Sequence, residues 1–321
     1  MLVTLLALLA QGSQMVLVLA VAPAVTGITR KAKAQLMRRQ GAPVIQGYRD
    51  LIKLVRKEVV LAHNASWFFR SAPYVIFSVT WVASALVPTF ASGLMFNWAA
   101  DVVALVALLG MARTLLALAA MDVGTSFGGI GSSREMMIAT LAEPAMLLVV
   151  LTLALSAGTT RLPGVADFFI SQPLTVRVSL ALAMLALVIV ALAENARIPV
   201  DNPATHLELT MVHEAMELEY SGRHLAMIEA ASQLKLVLYF SLIICLFVPF
   251  GMATASAGPV QWLVGAIAYL AKLTTGAIVL GVWEVSVAKM RVFRVTDLLA
   301  GALVFAFLAI LFAFLSNEVL P

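Results

Sequence analysis

Long apolar stretches alternate with short polar connections along this chain. About 20 apolar residues are enough to cross the hydrocarbon core of a bilayer as a helix, and by that rule the pattern predicts eight membrane-spanning helices. They cover residues 3–27, 72–90, 99–120, 136–157, 175–193, 224–250, 260–285 and 297–316. The predicted fold is an all-α polytopic membrane protein, with residues 1–321 forming a single membrane domain.

The composition supports this prediction. The 321 residues are 62% hydrophobic and 12% charged, with a mean hydropathy of +1.00, which is more apolar surface than a soluble domain can bury. The first apolar stretch has no basic segment before it and no clear cleavage site, so it is interpreted as a retained span rather than a signal peptide. The single cysteine, Cys245, excludes an intrachain disulfide or a cysteine-based metal site. Redox cofactors are expected on partners and not on this chain.

The basic residues are distributed unevenly between the connections. The loop 29–70 holds ten of the 21 basic residues and only two acids, so the positive-inside rule places it in the cytoplasm. Alternation of the spans then places the acid-rich loop 194–223 on the same side and both termini outside. The expected location is the inner (cytoplasmic) membrane.

The loop 29–70 has two interpretations. It is either a topogenic or lipid-headgroup patch or a docking surface for a partner. Its stretch "GYRDLIKLVRKEVV" carries apolar residues at roughly helical spacing among charges, which is typical of an amphipathic helix on a membrane or under a partner. No nucleic-acid recognition fold accompanies the charge, so nucleic-acid binding is not expected.

Several ionisable residues fall within the predicted spans, where a charge costs about 2.5–3.5 kcal/mol on insertion scales. They are Arg113, Glu143, Glu229, Lys235, Lys272 and Glu284. Glu229 and Glu284 are near enough to span ends to be boundary effects, whereas Glu143, Lys235 and Lys272 are deeper. Pro144 removes a backbone hydrogen bond beside Glu143, which would give that carboxyl access to water. These charges suit a proton relay, or a transporter that binds substrate at the midplane.

The acid-rich stretch "ENARIPVDNPATHLELTMVHEAMELEY" carries six carboxylates and two histidines. Asp201 as N-cap and Pro203 in the first turn predict a helix that begins near residue 203. At 100° per residue, His206, His213 and Glu217 share one stripe of this helix. Glu208 and Glu219 lie on nearly the opposite stripe.

The segment "HEAME" resembles the zinc-protease pattern H-E-x-x-H, but Glu217 stands where the second histidine would be. No further ligand motif is evident downstream. The sequence therefore predicts no metal site, and an intramembrane metalloprotease stays as a minor alternative.

With its flanks, this stretch resembles the membrane subunit shared by respiratory complex I, where it is called the H subunit or subunit 1, and the group 4 membrane-bound nickel–iron hydrogenases, including formate hydrogenlyase. The motif reads here as Glu194, Arg197, Pro199-Val200-Asp201, Glu208-Leu209 and Glu219-Tyr220-Ser221-Gly222. Residues 27–58 resemble the family's first cytoplasmic loop. Residues 118–144 resemble the connection between its third and fourth spans, especially in the hydrogenase-type members.

The resemblance implies a role for each matching position. Glu143, Glu194, Asp201, Glu208 and Glu219 would lie along a hydrated, charged path between a redox module and antiporter-like subunits, and the deep Lys235 and Lys272 complete the predicted relay. Arg197, Pro199 and Tyr220 would be structural. The residues expected to face a peripheral arm are Arg38, Arg39, Asp50, Lys53 and Lys57.

The chain departs from complex I at Val200, Ala204 and His206, and in a stretch between Leu209 and Glu219 about three residues longer. These departures argue against a quinone chamber and favour a hydrogenase-like complex. They also assign His206, His213 and Glu217 to partner-specific contacts.

The leading hypothesis is a membrane-anchoring subunit without a catalytic centre that translocates protons or sodium ions. Its expected partners are hydrogenase-like large and small subunits, iron–sulfur subunits, antiporter-like membrane subunits and the lipid bilayer. The alternatives are the H subunit of an NADH:quinone oxidoreductase and a free-standing transporter.

Overall fold

The computed structural model describes residues 2–92, 94–171, 177–201, 211–253 and 258–319, and these residues form helices and connections without a β-sheet. The eleven α-helices are α1 Leu2–Leu36, α2 Gln46–Val55, α3 Trp67–Leu86, α4 Val102–Asp122, α5 Ser126–Ala157, α6 Leu162–Ser171, α7 Val178–Glu194, α8 His213–Glu217, α9 Gly222–Phe247, α10 Pro259–Ser286 and α11 Val292–Val319. This confirms the predicted all-α membrane fold.

Six helices are long and apolar enough to cross a membrane, within α1, α4, α5, α9, α10 and α11. The other two predicted spans correspond to α3 and α7. Helix α3 has 20 residues but carries Arg70 in its first turn, and α7 is an apolar helix of 17 residues. The eight predicted spans are therefore six full-length candidates and two weaker ones.

Local chemistry defines several helix ends. The side chains of Ser66, Asp101 and Thr125 accept hydrogen bonds from the first turns of α3, α4 and α5, which satisfies N–H groups that have no partner within the helix. Gly158 ends α5 in the left-handed conformation, where glycine has no steric penalty.

The helices pack around two main apolar cores. The larger core joins α4, α5, α7, α9 and α11, and is rich in alanine, leucine and valine. The second core joins α1, α9 and α10. Helix α9 contributes to both cores, so it connects the two parts of the molecule.

The basic segment after the first span is partly helical. Helix α1 continues to Leu36, nine residues beyond the predicted end at residue 27, and α2 matches the predicted amphipathic helix. Gly47 is the buried residue of α2 and lies against Pro23 of α1. The predicted loop 29–70 therefore includes the end of α1 and helix α2, and α2 packs against α1 and α9.

The prediction of one continuous helix from residue 203 to residue 220 is wrong at residues 211 and 212. Met211 is not helical, and Val212 has φ −122° and ψ −81°. The Asp201 carboxylate accepts a hydrogen bond from the N–H of Val212 at 3.2 Å, so Asp201 fixes the chain before the five-residue helix α8. Residues 202–210, which include the predicted site residues His206 and Glu208, lie outside the described residues.

Gly222 is predicted to be indispensable where α9 begins. Its φ is +54°, and a Cβ there would overlap the backbone of Lys57 and Glu58. Gly222→Ala should destabilise the detergent-solubilised protein by about 1–3 kcal/mol, measured as a lower apparent Tm. In Gly129→Ala, where an added Cβ meets nothing, the Tm should stay level or rise because alanine favours the helix. Equal effects of the two substitutions would contradict this role of Gly222.

Candidate functional site

A buried guanidinium lies at the centre of the polar interior. Arg113 of α4 is 6% exposed, and it meets three carboxylates. Its Nε lies 3.4 Å from Glu135 Oε1, its Nη1 lies 3.1 Å from Glu143 Oε1, and its Nη2 contacts Glu194 Oε1. Since the three acids come from α5 and the end of α7, one side chain ties three helices together.

The network continues on both sides of Arg113. Lys235 of α9 places its Nζ 2.9 Å from Glu194 Oε2. His213 of α8 places its Nε2 3.3 Å from Glu135 Oε2. Glu143, Glu194 and Lys235, which were predicted as relay residues, are thus brought into one cluster.

The formal charges of this cluster do not cancel. Arg113 and Lys235 supply two positive charges against three carboxylates, Glu135, Glu143 and Glu194. Full ionisation would leave one uncompensated negative charge in a largely buried site, which is unfavourable. Glu143 is the most accessible of the three acids, with 40% of its side chain exposed.

A polar cavity of about 690 Å³ leads to the cluster. One end is lined by Arg113, Glu135, Glu194 and Lys235, and the other end reaches the basic segment after α1. The charged and histidine residues along the cavity are Arg30, Lys33, Arg39, Arg113, Glu135, Glu194, Arg197, His213, Glu214, Glu217, Glu229, Lys235 and Glu284. A cavity with this lining suits water and protons better than an apolar ligand.

Helix α8 places two titratable groups in this cavity. Burial lowers the pKa of His213, partly opposed by the charge of Glu135, so the imidazole is neutral at physiological pH. Burial, reinforced by the charges of Glu229 and Glu214, raises the pKa of Glu217 from its ordinary 4.5 to about 7. Glu217 can therefore exchange a proton near neutral pH.

A second set of ion pairs fastens the segment that follows α7. The carboxylate of Glu284 in α10 forms two ion pairs. Its Oε2 lies 3.2 Å from Lys33 Nζ of α1, and its Oε1 lies 3.3 Å from Arg197 Nη1. Lys289 lies 2.9 Å from Asp201. The N–H of Met290 donates to the carbonyl of Pro199 at 2.9 Å. The predicted relay residue Asp201 is thus buried in an anchoring contact at the edge of the cluster.

The structure does not bring Glu219 or Lys272 into contact with the Arg113 cluster. Thr125, the N-cap of α5, donates to Glu219 at 2.5 Å. Lys272 donates to the carbonyls of Val248, at 2.6 Å, and Phe250, just after α9. Their predicted relay roles are not tested by these contacts.

The other predicted positions have definite surroundings. Tyr220 stacks on Phe69 with ring centroids 4.1 Å apart and donates to the Phe69 carbonyl at 3.4 Å, which fits a structural role. Asp50 accepts a hydrogen bond from Gln46 at 2.8 Å. The remaining docking candidates, Arg38, Arg39, Lys53 and Lys57, are exposed.

Sequence reasoning missed Glu135 and undervalued Arg113. The predicted span began at residue 136, whereas α5 begins at Ser126 and carries both Glu135 and Glu143. Eight residues of helix separate the two acids by about 12 Å, and the long Arg113 side chain bridges them. An acid two turns before Glu143 was the available signal. Among the described residues, no group of three or more His, Cys, Asp and Glu is arranged to hold a metal ion.

Known proteins share both the sequence and the fold of this chain. The family model described as NADH dehydrogenase matches residues 10–315. The chain belongs to this family. It is 32% identical to formate hydrogenlyase subunit 4 of Escherichia coli (strain K12) over 297 residues, covering 92% of the chain and 95% of that protein. It is 34% identical to hydrogenase-4 component C of the same organism over 244 residues, covering 75% of each.

More distant members also match. The H subunit of the NADH-quinone oxidoreductase of Anaplasma phagocytophilum (strain HZ) is 26% identical over 239 residues, covering 68% of the chain and 69% of that protein. The chain shares its fold with a chain of the membrane-bound sulfane sulfur reductase, an archaeal respiratory membrane complex. The TM-score is 0.82 at 18% identity, covering 96% and 99% of the two chains. The resemblance to a complex I-like membrane subunit of hydrogenase type is thereby confirmed.

The raised pKa of Glu217 predicts an infrared signal. The carboxyl should be protonated below pH about 7 and ionised above it, so the C=O stretch of a protonated carboxyl should disappear as the pH rises through 7. Because the pKa of Glu217 is raised from 4.5 to about 7, the stability linked to this proton is fully present below pH about 4.5 and is lost as the pH rises from there to about 7. Glu217→Gln should remove the signal, whereas Glu58→Gln, which removes an exposed carboxyl outside the cavity, should keep it. An unchanged signal in Glu217→Gln would contradict the assignment.

Proposed function

We propose that this chain is the membrane-anchoring, ion-translocating subunit of a hydrogenase-type oxidoreductase complex, with no catalytic centre of its own. The observation that carries the proposal is the ion-paired series Glu143, Arg113, Glu194 and Lys235, of which Arg113, Glu194 and Lys235 line a polar cavity. Buried ionisable groups at membrane depth are costly, and they are expected where ions or protons move.

The cavity supplies the entrance of the path. Glu217 and His213 line it, and His213 contacts Glu135 beside Arg113. A proton that Glu217 takes from water can pass to the polar side chains that line the cavity between Glu217 and the cluster, which include His213 and Glu135. Movement of Arg113 or Lys235 away from an acid would raise that acid's proton affinity, which is the means by which a conformational change drives transport.

The exposed basic segment is the proposed dock for a peripheral arm. Arg39 lines the cavity and follows Arg38, Lys53 lies on α2, and Lys57 lies two residues beyond α2. The apolar side chains of Ile45, Ile52 and Val55 are more than half exposed beside them. Basic and exposed apolar side chains together are typical of an interface. The expected partners are hydrogenase-like large and small subunits and iron–sulfur subunits on this face, with antiporter-like subunits alongside in the inner membrane.

Family membership and 32% identity to a formate hydrogenlyase subunit support the hydrogenase-type assignment over the H subunit of an NADH:quinone oxidoreductase, for which the matched identity is 26%. They also favour a complex subunit over a free-standing transporter or a metalloprotease. A complex of the proposed type evolves hydrogen without added quinone.

Replacement of Glu194 should separate redox chemistry from ion transport. In inverted vesicles that contain the intact complex, Glu194→Gln should retain hydrogen evolution, while the ions moved per hydrogen fall on the order of tenfold or more, since the amide cannot carry the proton. Asp167→Asn, an exposed carboxyl away from the cavity, is the matched control. Parallel assays with a pH-sensitive dye and with radioactive sodium identify the ion. Undiminished transport in Glu194→Gln would overturn the proposal.

A further inference from the structure

A second cavity, separate from the charged cluster, lies between α7 and α10 with α9 as its floor. It has a volume of about 550 Å³. Its walls are apolar, and they include Val188, Leu192, Ile243 and Val279. Because α7, α9 and α10 contain apolar spans or an apolar helix, this groove lies at membrane depth.

The charged side chains of the groove, Arg197 and Lys272, lie at its two ends, and the lining also includes the hydroxyl groups of Tyr239 and Thr275. Asn195, Arg197 and Trp283 line one end, on the side of the basic segment. Lys272 closes the other end, where its ammonium group donates to the carbonyls that follow α9. A tryptophan and an arginine at one end of an apolar groove are typical of the level of lipid headgroups.

The length of the groove matches one leaflet of a bilayer. Lys272 and Trp283 are eleven residues apart on α10, which is about 17 Å of helix. Half of the hydrocarbon core is about 15 Å thick. An extended acyl chain of one phospholipid matches this length and the apolar lining of the groove.

The charge around Arg197, where the groove meets the polar cavity, favours an anionic group. Arg197 donates to Glu284 at 3.3 Å, and Lys33 shares the same carboxylate at 3.2 Å. Arg30 is close enough to act electrostatically on Arg197. These three cations outnumber the two carboxylates near them, Glu284 and Glu229. The buried Nε of Arg197 has no hydrogen-bond partner among the described residues, so it remains a donor for a ligand.

We propose that the groove holds one acyl chain of an anionic phospholipid, whose phosphate accepts hydrogen bonds from Arg197 and whose chain lies on α9 between α7 and α10. Basic pockets between transmembrane helices are known to bind anionic headgroups. The bound lipid would fill the space between α7 and α10 and would hold the segment after α7 from its lipid side. This site does not depend on ion translocation.

The test is lipid retention by the intact complex. The complex is first reconstituted into nanodiscs of phosphatidylglycerol and phosphatidylethanolamine. Loosely bound lipid is then removed by washing with detergent, and native mass spectrometry counts the phospholipids that each complex retains. Gly276 lines the groove opposite Phe240, so Gly276→Leu should fill it and remove one retained phospholipid. Gly301→Leu, where an added Cβ meets nothing, should retain it. Equal retention by the two variants would overturn the proposal.

The headgroup is tested separately. Arg197→Gln should lower the ratio of phosphatidylglycerol to phosphatidylethanolamine retained by about fivefold, which is the effect of one basic residue near an anionic surface. Arg291→Gln, an exposed basic residue outside the groove, should leave the ratio unchanged. A ratio unaffected by Arg197→Gln would overturn the anionic assignment.

A third measurement covers variants that fail to assemble. Phosphatidylglycerol with a diazirine on its acyl chain, photolysed with the wild-type complex, should label peptides of α9 and α10 that contain Ile243 or Val279. Labelling confined to other surfaces would overturn the proposal.

Discussion

The structure depends on how Arg113 is paired inside the membrane. A buried guanidinium needs negative partners, and removing one side of a buried ion pair costs about 3–5 kcal/mol. Arg113 of α4 obtains its partners from Glu135 and Glu143 of α5 and from Glu194 at the end of α7. This requirement fixes the relative positions of three helices. It also fixes where the chain leaves α7, and hence where the acid-rich segment begins.

The segment after α7 separates two different environments. On one side is the polar cavity with Glu217, His213 and the basic residues Arg30, Lys33 and Arg39. On the other side is the apolar groove that ends at Lys272. Arg197 lines both spaces, and Glu284 holds it in place. A change on one side of this segment therefore has a direct physical route to the other side, through one side chain and its ion pair.

The sequence was sufficient for the fold class because apolar length is a strong signal, and the motif from Glu194 to Tyr220 was sufficient for the family. The site was predicted only in part. Glu143, Glu194 and Lys235 meet as a cluster, but their common partner Arg113 and the additional acid Glu135 depend on helix rotation and on the true start of α5. The rotation of α4 that directs Arg113 toward the acids cannot be read from residue spacing, and the spacing of Glu135 and Glu143 is informative only once α5 is known to begin at Ser126. The break at Val212 also depends on a tertiary contact, the hydrogen bond to Asp201, which overrides the helical periodicity of that segment.

The most direct test of Arg113 as the common partner is a double-mutant cycle with Glu194. Ion transport per hydrogen evolved is measured in vesicles for Arg113→Gln, Glu194→Gln and the double variant. If the two side chains act as one unit, the number of ions transported per hydrogen in the double variant equals or exceeds the number in the more impaired single variant. If instead the two losses multiply, the residues act independently, and a relay built on the Arg113–Glu194 pair is contradicted.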